Sequence, residues 1–265
     1  MHAMLRPPAV AGQFYPGQAQ ELGLEVATLI ADAHAIDILP KALIAPHAGY
    51  IYSGPIAANA YATLRPLHAT IHRVVLLGPV HRVPVHGLAT TSAAAFETPL
   101  GQVAVDRAAV EKSLQLPQVT INDQAHAQEH SLEVHLPFLQ TVLDDFSIVP
   151  FAVGDASAEE VAAVLDLLWG GAETLIVISS DLSHYLPYAM ARQVDQATAD
   201  SILHLDRLPS HEQACGATPI NGLLAAAQRH GLKPQLLDLR NSGDTAGDKS
   251  RVVGYGSFAF TKNHV

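Results

Sequence analysis

Histidine is the residue type that stands out chemically in this chain. The 265 residues include 15 histidines, as many as lysine and arginine together. Three of them follow short apolar runs, in the segments Pro46-His47-Ala48-Gly49, Gly78-Pro79-Val80-His81 and Asp181-Leu182-Ser183-His184. Any one of these histidines alone is typical of a hydrogen-bonded loop residue. Because imidazole binds Fe, Cu, Zn and Ni, three of them at equivalent positions, together with Asp181, predict one metal or catalytic site.

The single cysteine, Cys215, is a second candidate ligand. It comes just before Thr218-Pro219, which predicts the N-cap and the first-turn proline of a helix. A thiol at that place is expected to have a lowered pKa, and the thiolate form binds metals or attacks electrophiles. A small buried apolar residue is the alternative of equal weight. One cysteine also excludes an internal disulfide framework.

The segment 126–135 is dense in titratable side chains. His126 and His130 are four residues apart, as are Glu129 and Glu133, so on a helix each pair would share a face. The His-x-x-x-His spacing lacks the glutamate of a zincin, which argues against a separate metal site. We expect His130 to point into the main cleft as an acid, a base or a donor, and the other side chains to cap or solvate a helix start.

The segment 241–251 is polar and rich in glycine, and other common motifs are missing. The segment lacks the Gly-Lys-Ser/Thr order of a phosphate-binding loop, so it is either a long turn between strands or part of the cleft mouth. No Gly-x-Gly-x-x-Gly follows a predicted strand, and no Gly-x-Ser-x-Gly occurs. The absence of these two motifs argues against a nicotinamide dinucleotide site and against a serine hydrolase.

The elements that position these residues alternate between strands and helices. Apolar runs predict strands buried on both faces, as in a parallel sheet, at Ala42–Ala45, Val74–Leu77, Ile148–Val153 and Leu175–Ile178. Later strands are predicted at Gln235–Leu239 and at the alternating run Val252–Phe260, which indicates a sheet edge or a mixed sheet. Helical patterns cover Gln20–Ala33, Ser53 (as N-cap, with Pro55 in the first turn) to Leu64, His130–Leu143 with a kink or boundary at Pro137, Ser157–Trp169, 188–206 and 218–230.

This alternation predicts one α/β domain over residues 1–265. The expected architecture is a three-layer α/β/α fold with a mostly parallel or mixed central sheet. Ligands of such folds bind beyond the carboxyl ends of the strands, and the three histidines come directly after predicted strands.

Composition excludes several classes of protein. Apolar residues make up 49% and charged residues 15%, which argues against a disordered chain. The formal net charge of −10 argues against non-specific binding to nucleic acid or to anionic membranes. The sequence contains no apolar run of about 18 residues, so no membrane helix is predicted. Arg6, Pro7 and Pro8 stand where the apolar core of a secretory signal would be, so a cytoplasmic protein is expected.

Five segments together resemble the Memo family, over about residues 5–260: 7–16, 46–54, 129–133, 179–185 and 241–244. That family is similar in fold to class III extradiol dioxygenases, the non-haem iron enzymes that open catechol rings. The resemblance implies one transition metal ion, Fe(II) or Cu with Zn possible, bound by His47, His81 and Cys215. It implies catalytic roles for His130, Asp181 and His184. Cys215 stands where the ring-opening enzymes have glutamate. A thiolate ligand favours Cu(I), Zn or a thiolate-bound iron, and this argues against the opening of catechol rings.

The expected function is a metal-dependent oxidoreductase of unknown substrate. His184, oriented by Asp181 or by a nearby backbone group, would be the base, and His130 the acid or donor. One alternative is metal handling without turnover through the same ligands. Another is a peptide- or partner-binding module, for which only Arg82 and Arg251 offer suitable charge. The resemblance also implies AMMECR-type and radical-SAM proteins as partners.

Overall fold

The computed structural model describes residues 4–34 and 36–262. The strands are β1 Leu5–Arg6, β2 Ala42–Ala45, β3 Arg73–Pro79, β4 Leu88–Thr90, β5 Ala95–Thr98, β6 Gly101–Val105, β7 Val119–Ile121, β8 Ser147–Val153, β9 Thr174–Ser179, β10 His184–Leu186, β11 Leu232–Asn241 and β12 Val252–Lys262. The helices are α1 Ala19–Ala31, α2 Tyr50–Ala62, α3 Arg107–Ser113, α4 Asp123–Ala127, α5 Leu136–Val142, α6 Ala158–Leu167, α7 Tyr188–Leu203 and α8 Ala217–His230.

The strands form one mixed sheet in the order β1-β5-β6-β8-β3-β9-β2-β12-β10, with β11 paired to β12, and β4 to β7 and β8. The middle of the sheet, β8-β3-β9-β2, is parallel, and β12 adds to β2 in the antiparallel direction. These parallel strands are the four apolar runs predicted from the sequence, and nearly all of their residues are buried. Their carboxyl ends therefore meet at one edge of the sheet.

Helices cover both faces of this sheet. Helices α1, α2 and α5 pack on one another, and α2 also packs on β2 and β12. Helix α6 packs on α8, which in turn packs on β3 and β9. The predicted three-layer α/β/α architecture is thus confirmed. Among the described residues, none of the helices is both long and apolar enough to cross a membrane.

Helix α2 begins earlier than predicted. Gly49 and not Ser53 is its N-cap residue, and Pro55 lies inside the helix and not in its first turn. The backbone N–H of Tyr50 donates to the carbonyl of Phe14 at 2.8 Å. A contact with the distant N-terminal segment therefore satisfies the start of the helix, and no local side-chain cap is needed.

The helical pattern predicted over His130–Leu143 is divided at the predicted boundary near Pro137. A 3₁₀ turn covers Glu133–His135, and α5 follows directly after it. Pro137 lies in the first turn of α5, where the missing N–H of proline costs no hydrogen bond. The part of the prediction that is wrong is its start, because His130, Ser131 and Leu132 lie outside both helical elements.

The start of α8 also differs from the prediction, and of the two alternatives predicted for Val252–Phe260 the mixed sheet is confirmed. Gly216 and not Thr218 is the N-cap residue of α8, and the backbone N–H of Gly216 donates to Oγ of Ser180 at 2.9 Å. Strand β12 lies inside the sheet, between β11 and β2, and not at an edge. The small residues of its alternating pattern provide space for neighbours: a Cβ on Gly254 would lie 2.1 Å from Oδ2 of Asp195.

Candidate metal centre

A cleft of about 800 Å³ opens at the carboxyl ends of the central strands. His47 follows β2, His81 follows β3 and Asp181 follows β9, and these three strands are neighbours in the sheet. The cleft is lined by five of the predicted site residues, namely His47, His81, His130, Asp181 and His184. The adjacency of parallel strands therefore brings together His47, His81 and Asp181, side chains that are up to 134 positions apart.

Three imidazoles converge at the floor of this cleft. One ring nitrogen from each of His47, His81 and His130 lies within 4.8 Å of the others. The ring centroids are 5.2 Å apart for His47 and His81, 5.4 Å for His47 and His130, and 4.7 Å for His81 and His130. This spacing allows the three nitrogens to share one metal ion, and imidazole is a suitable ligand for Fe, Cu and Zn.

His47 is the most deeply buried of the three histidines. Its Nδ1 lies 2.6 Å from Oγ of Ser179, and its backbone N–H donates to Oδ1 of Asp181 at 2.8 Å. Burial holds the pKa of His47 well below its usual value, and the neighbouring His81 and His130 lower it further. His47 is therefore neutral at pH 7, which is the form that binds a metal.

Glu129 joins the other two histidines. Its Oε1 lies 2.8 Å from Nδ1 of His81 and 3.4 Å from Nδ1 of His130, and its Oε2 accepts the backbone N–H of His81 at 2.6 Å. Burial by itself raises the pKa of Glu129, but the hydrogen bonds from His81 and from backbone N–H groups overcome it and lower the pKa to about 2. Glu129 was expected to cap or solvate a helix, and it is instead the carboxylate partner of the site. The one signal in the sequence was its place directly before His130.

Cys215 lies beside Nε2 of His47. Its Sγ is 3.4 Å from Nε2 of His47 and accepts the backbone N–H of Asp181 at 3.3 Å. The thiol is ahead of α8, as predicted, but its pKa is raised to about 12 and not lowered. Burial is the main cause, and the carboxylate of Asp181 adds to it. Desolvation of the thiolate outweighs the favourable field of the helix N-terminus.

Asp181 and His184 take different places in the cleft. Asp181 is buried, and burial raises the pKa of its carboxyl. Among the described hydrogen bonds, its carboxylate accepts from the backbone of His47 and makes none with His184. Oδ2 of Asp181 is also 4.0 Å from Nε2 of His47. His184 opens β10 and lines the same cleft. Asp181 therefore orients His47, and His184 is free to meet a ligand.

The other titratable side chains of the segment 126–135, namely His126, Glu133 and His135, are buried and not solvated as expected. Nε2 of His126 donates to the carbonyl of Ala89 at 3.0 Å, and Nδ1 of His135 lies 2.8 Å from the hydroxyl of Tyr61. Glu133 is completely buried and accepts hydrogen bonds from Arg6, the backbone of Ala9 and Val10, and the hydroxyl of Tyr15. The N-terminal segment covers these groups, and their spacing in the sequence gave no sign of that cover.

The segment 241–251 fulfils both of its predicted roles. It connects β11 to β12, and Ser242, Gly247 and Arg251 line the cleft mouth. The guanidinium of Arg251 lies 5.1 Å from the ring centroid of Tyr185, which adopts a left-handed backbone conformation with φ of 59°. The other predicted arginine, Arg82, is exposed and is not among the residues that line the cleft.

Comparison with known proteins decides the family. The family model described as "Memo-like protein" matches residues 6–259. The chain belongs to the Memo-like family. It is 38% identical to a MEMO1 family protein of Aquifex aeolicus over 95% of this chain and 97% of that protein. It is 36% identical to a MEMO1 family protein of Sulfolobus acidocaldarius, over 97% of this chain and 99% of that protein.

A solved structure is similar to this Memo-like chain in fold. The crystal structure of an uncharacterized protein from Escherichia coli K12 matches with a TM-score of 0.52 and 15% identity, over 81% of this chain and 98% of that one. The family model and the MEMO1 family relatives confirm the family resemblance drawn from the five sequence segments, and the solved structure bears on the fold alone.

Proposed function

We propose that this Memo-like protein binds one transition metal ion, iron or copper, at the floor of the cleft and acts there as an oxidoreductase on a small substrate. The convergence of three imidazole nitrogens within 4.8 Å supports this function. Metal ligands need rigid supports, and the ends of buried parallel strands provide them for His47 and His81.

The third ligand has two candidates. Cys215 is the ligand that the family resemblance implies, and its Sγ is 3.4 Å from Nε2 of His47. His130 is the alternative, because its ring nitrogen belongs to the three-imidazole cluster. A thiolate favours Cu(I) or Zn, whereas three imidazoles also suit Fe(II) and Cu(II). Since a thiol must lose its proton to bind, the thiolate set makes metal affinity more dependent on pH.

A bound iron or copper ion would supply redox chemistry and open coordination positions for a substrate. The chain's own residues would provide the rest. His184 would accept a proton from a substrate in the cleft, since it lines the cleft without an assigned carboxylate partner among the described contacts. Asp181 would hold the backbone of His47, and the rings of Phe14, Tyr52 and Tyr255 would exclude water along the wall.

Metal analysis of untagged protein purified without chelators tests the proposal. We expect about one metal ion per chain in the unmodified protein and almost none in His47→Ala. Loss of the ion in Cys215→Ser, with retention in His130→Ala, would assign the thiolate set, and the reverse would assign the three-imidazole set. His68→Ala, at an exposed histidine, is the control that should keep its metal. Unchanged metal content in His47→Ala would refute the site.

Metal handling without turnover is the second candidate function. The observation that favours it is the thiol beside His47, a soft donor that suits Cu(I) storage. Oxygen consumption by the metal-loaded protein, with a reductant or with a panel of catechols, separates the two functions. Uptake that requires His184 supports the oxidoreductase, and no uptake across the panel supports metal handling.

A peptide- or partner-binding role would use the rim of the same cleft. Arg251 stacked on Tyr185 is the feature that favours it, since arginine and tyrosine often dominate binding surfaces. A pull-down of AMMECR-type or radical-SAM proteins that depends on Arg251 but not on His47 would support this role over catalysis.

A further inference from the structure

The hydrogen bonds behind His47 determine which of its ring nitrogens carries the proton. Ser179 is fully buried, and its hydroxyl donates to the carbonyl of Ser131 at 2.6 Å. That hydroxyl has a single proton, so toward Nδ1 of His47, 2.6 Å away, it can only accept. Nδ1 of His47 therefore carries the hydrogen, and Nε2 presents a lone pair.

A carboxylate imposes the same state on His81. Oε1 of Glu129 accepts the backbone N–H groups of His130 at 2.9 Å and of Ser131 at 3.0 Å, and Oε2 accepts that of His81 at 2.6 Å. With both oxygens acting as acceptors, the 2.8 Å contact between Oε1 and Nδ1 of His81 requires a hydrogen on Nδ1. Nε2 of His81 also presents a lone pair.

One turn connects the hydrogen bonds at His47 with those at His81. The backbone N–H of Ser131 binds Glu129, its carbonyl accepts from Ser179, and its hydroxyl donates to the carbonyl of Pro79 at 2.8 Å, at the end of the strand that precedes His81. The turn 129–131 thus holds the supports of both histidines in one hydrogen-bonded unit.

We propose that Ser179 and Glu129 are positioning residues that hold His47 and His81 in the Nδ1–H tautomer before any ligand arrives, so that both Nε2 atoms face the cleft floor as ready electron-pair donors. This inference deepens the proposed metal site and rests on it. Partners of this kind typically change metal affinity by about 10–100-fold when they are removed.

Histidine tautomers can be read directly in the metal-free protein. We would label the full chain with ¹⁵N-histidine and record two-bond ¹H–¹⁵N correlations at pH 7.5, with assignment by His47→Gln and His81→Gln. We expect the Nδ1–H pattern for both residues. Ser179→Ala should alter the tautomer of His47 alone, and Glu129→Ala, which removes both acceptor oxygens, should alter that of His81 alone.

A change at another buried position serves as the control. Ser183→Ala removes a buried hydroxyl near the site that is not bonded to His47 or His81. This control should leave the two tautomers unchanged. A general loss of packing would disturb both histidines in every variant and would contradict the proposal.

The unmodified protein alone can overturn the inference. An Nε2–H pattern for His47 or His81 would do so, even if the variants fail to fold. Competition between the protein and a chromogenic chelator for Zn²⁺ is the second measurement, and we expect affinity to fall about 10–100-fold in Ser179→Ala and Glu129→Ala. Nδ1–H tautomers in a protein that neither binds Zn²⁺ nor retains iron or copper on purification would refute the proposed function and not the tautomer assignment. Zn²⁺ binding by a protein with Nε2–H tautomers would refute the tautomer assignment and not the proposed function.

Discussion

Sγ of Cys215 lies 3.4 Å from Nε2 of His47, and both groups are neutral in the metal-free protein. Burial raises the pKa of the thiol to about 12 and lowers the pKa of the imidazole. The two side chains therefore form an uncharged pair in which the thiol keeps its proton until a cation replaces it.

The reactivity of Cys215 should follow this raised pKa. We expect alkylation of the metal-free protein by iodoacetamide to be slow at pH 8 and to rise roughly tenfold per pH unit to beyond pH 10, because only the thiolate reacts. Mass spectrometry of timed samples measures the rate, and N-acetylcysteine is the reference thiol. Asp181→Asn should speed the reaction at a given pH, since the charge of Asp181 raises the pKa of the thiol. A rate that levels off below pH 9 would contradict this account.

Glu133 should be essential for stability. It is completely buried and pairs with Arg6, which is 5% exposed, so Glu133→Ala leaves a buried guanidinium without its partner. We expect the free energy of unfolding to fall by about 3–5 kcal/mol. Urea denaturation followed by circular dichroism measures it. Glu111→Ala, on the exposed side of α3, should change stability by less than about 0.5 kcal/mol. Similar losses in the two variants would exclude a special role for the buried pair.

Stability should fall in acid because of His126. Burial lowers its pKa to about 4, against about 6.5 in an unfolded chain. Its contribution is therefore complete above pH 6.5 and is lost as the pH falls toward 4, where the unfolded chain binds a proton that the folded chain does not. The loss is about 1.4 kcal/mol per pH unit.

Urea denaturation of His126→Gln between pH 7 and pH 4.5 checks this contribution. We expect the variant to lose less stability per pH unit than the unmodified protein. His86→Gln changes a histidine whose side chain is 95% exposed, and its profile should run parallel to that of the unmodified protein. Equal slopes for all three proteins would show that His126 does not titrate as described.

Gly254 should tolerate no side chain. A Cβ there would lie 2.1 Å from Oδ2 of Asp195, which supports the site segment by accepting the backbone N–H of Ser183 at 3.0 Å. We expect Gly254→Ala to destabilise the protein by about 1–3 kcal/mol, and the double variant with Asp195→Ala to cost less than the sum of the two changes. Thermal or urea denaturation of the three variants tests this coupling. If the losses in the free energy of unfolding are additive, the strain in Gly254→Ala does not come from Asp195.

Much of the framework could be predicted from the sequence. The four apolar runs became the central parallel strands, because strands buried on both faces need continuous aliphatic side chains. The predicted cleft residues follow from the same pattern, since the ends of parallel strands meet at one edge. Helix starts were less predictable: α2 begins at Tyr50 because the carbonyl of Phe14 receives its backbone N–H, a contact that no local pattern reveals.

The amino-acid sequence by itself determined the family, the layers of the fold and the convergence of His47 and His81, because these depend on side-chain polarity and on spacing along the chain. Only the tertiary structure decided the protonation of the site. It placed the partly buried Cys215 beside Asp181, where desolvation and the carboxylate raise the pKa of the thiol, and it placed Glu129 and Ser179 against Nδ1 of the two histidines. A pKa and a tautomer depend on solvent exclusion and on hydrogen-bond partners, and these come from residues far apart in the chain.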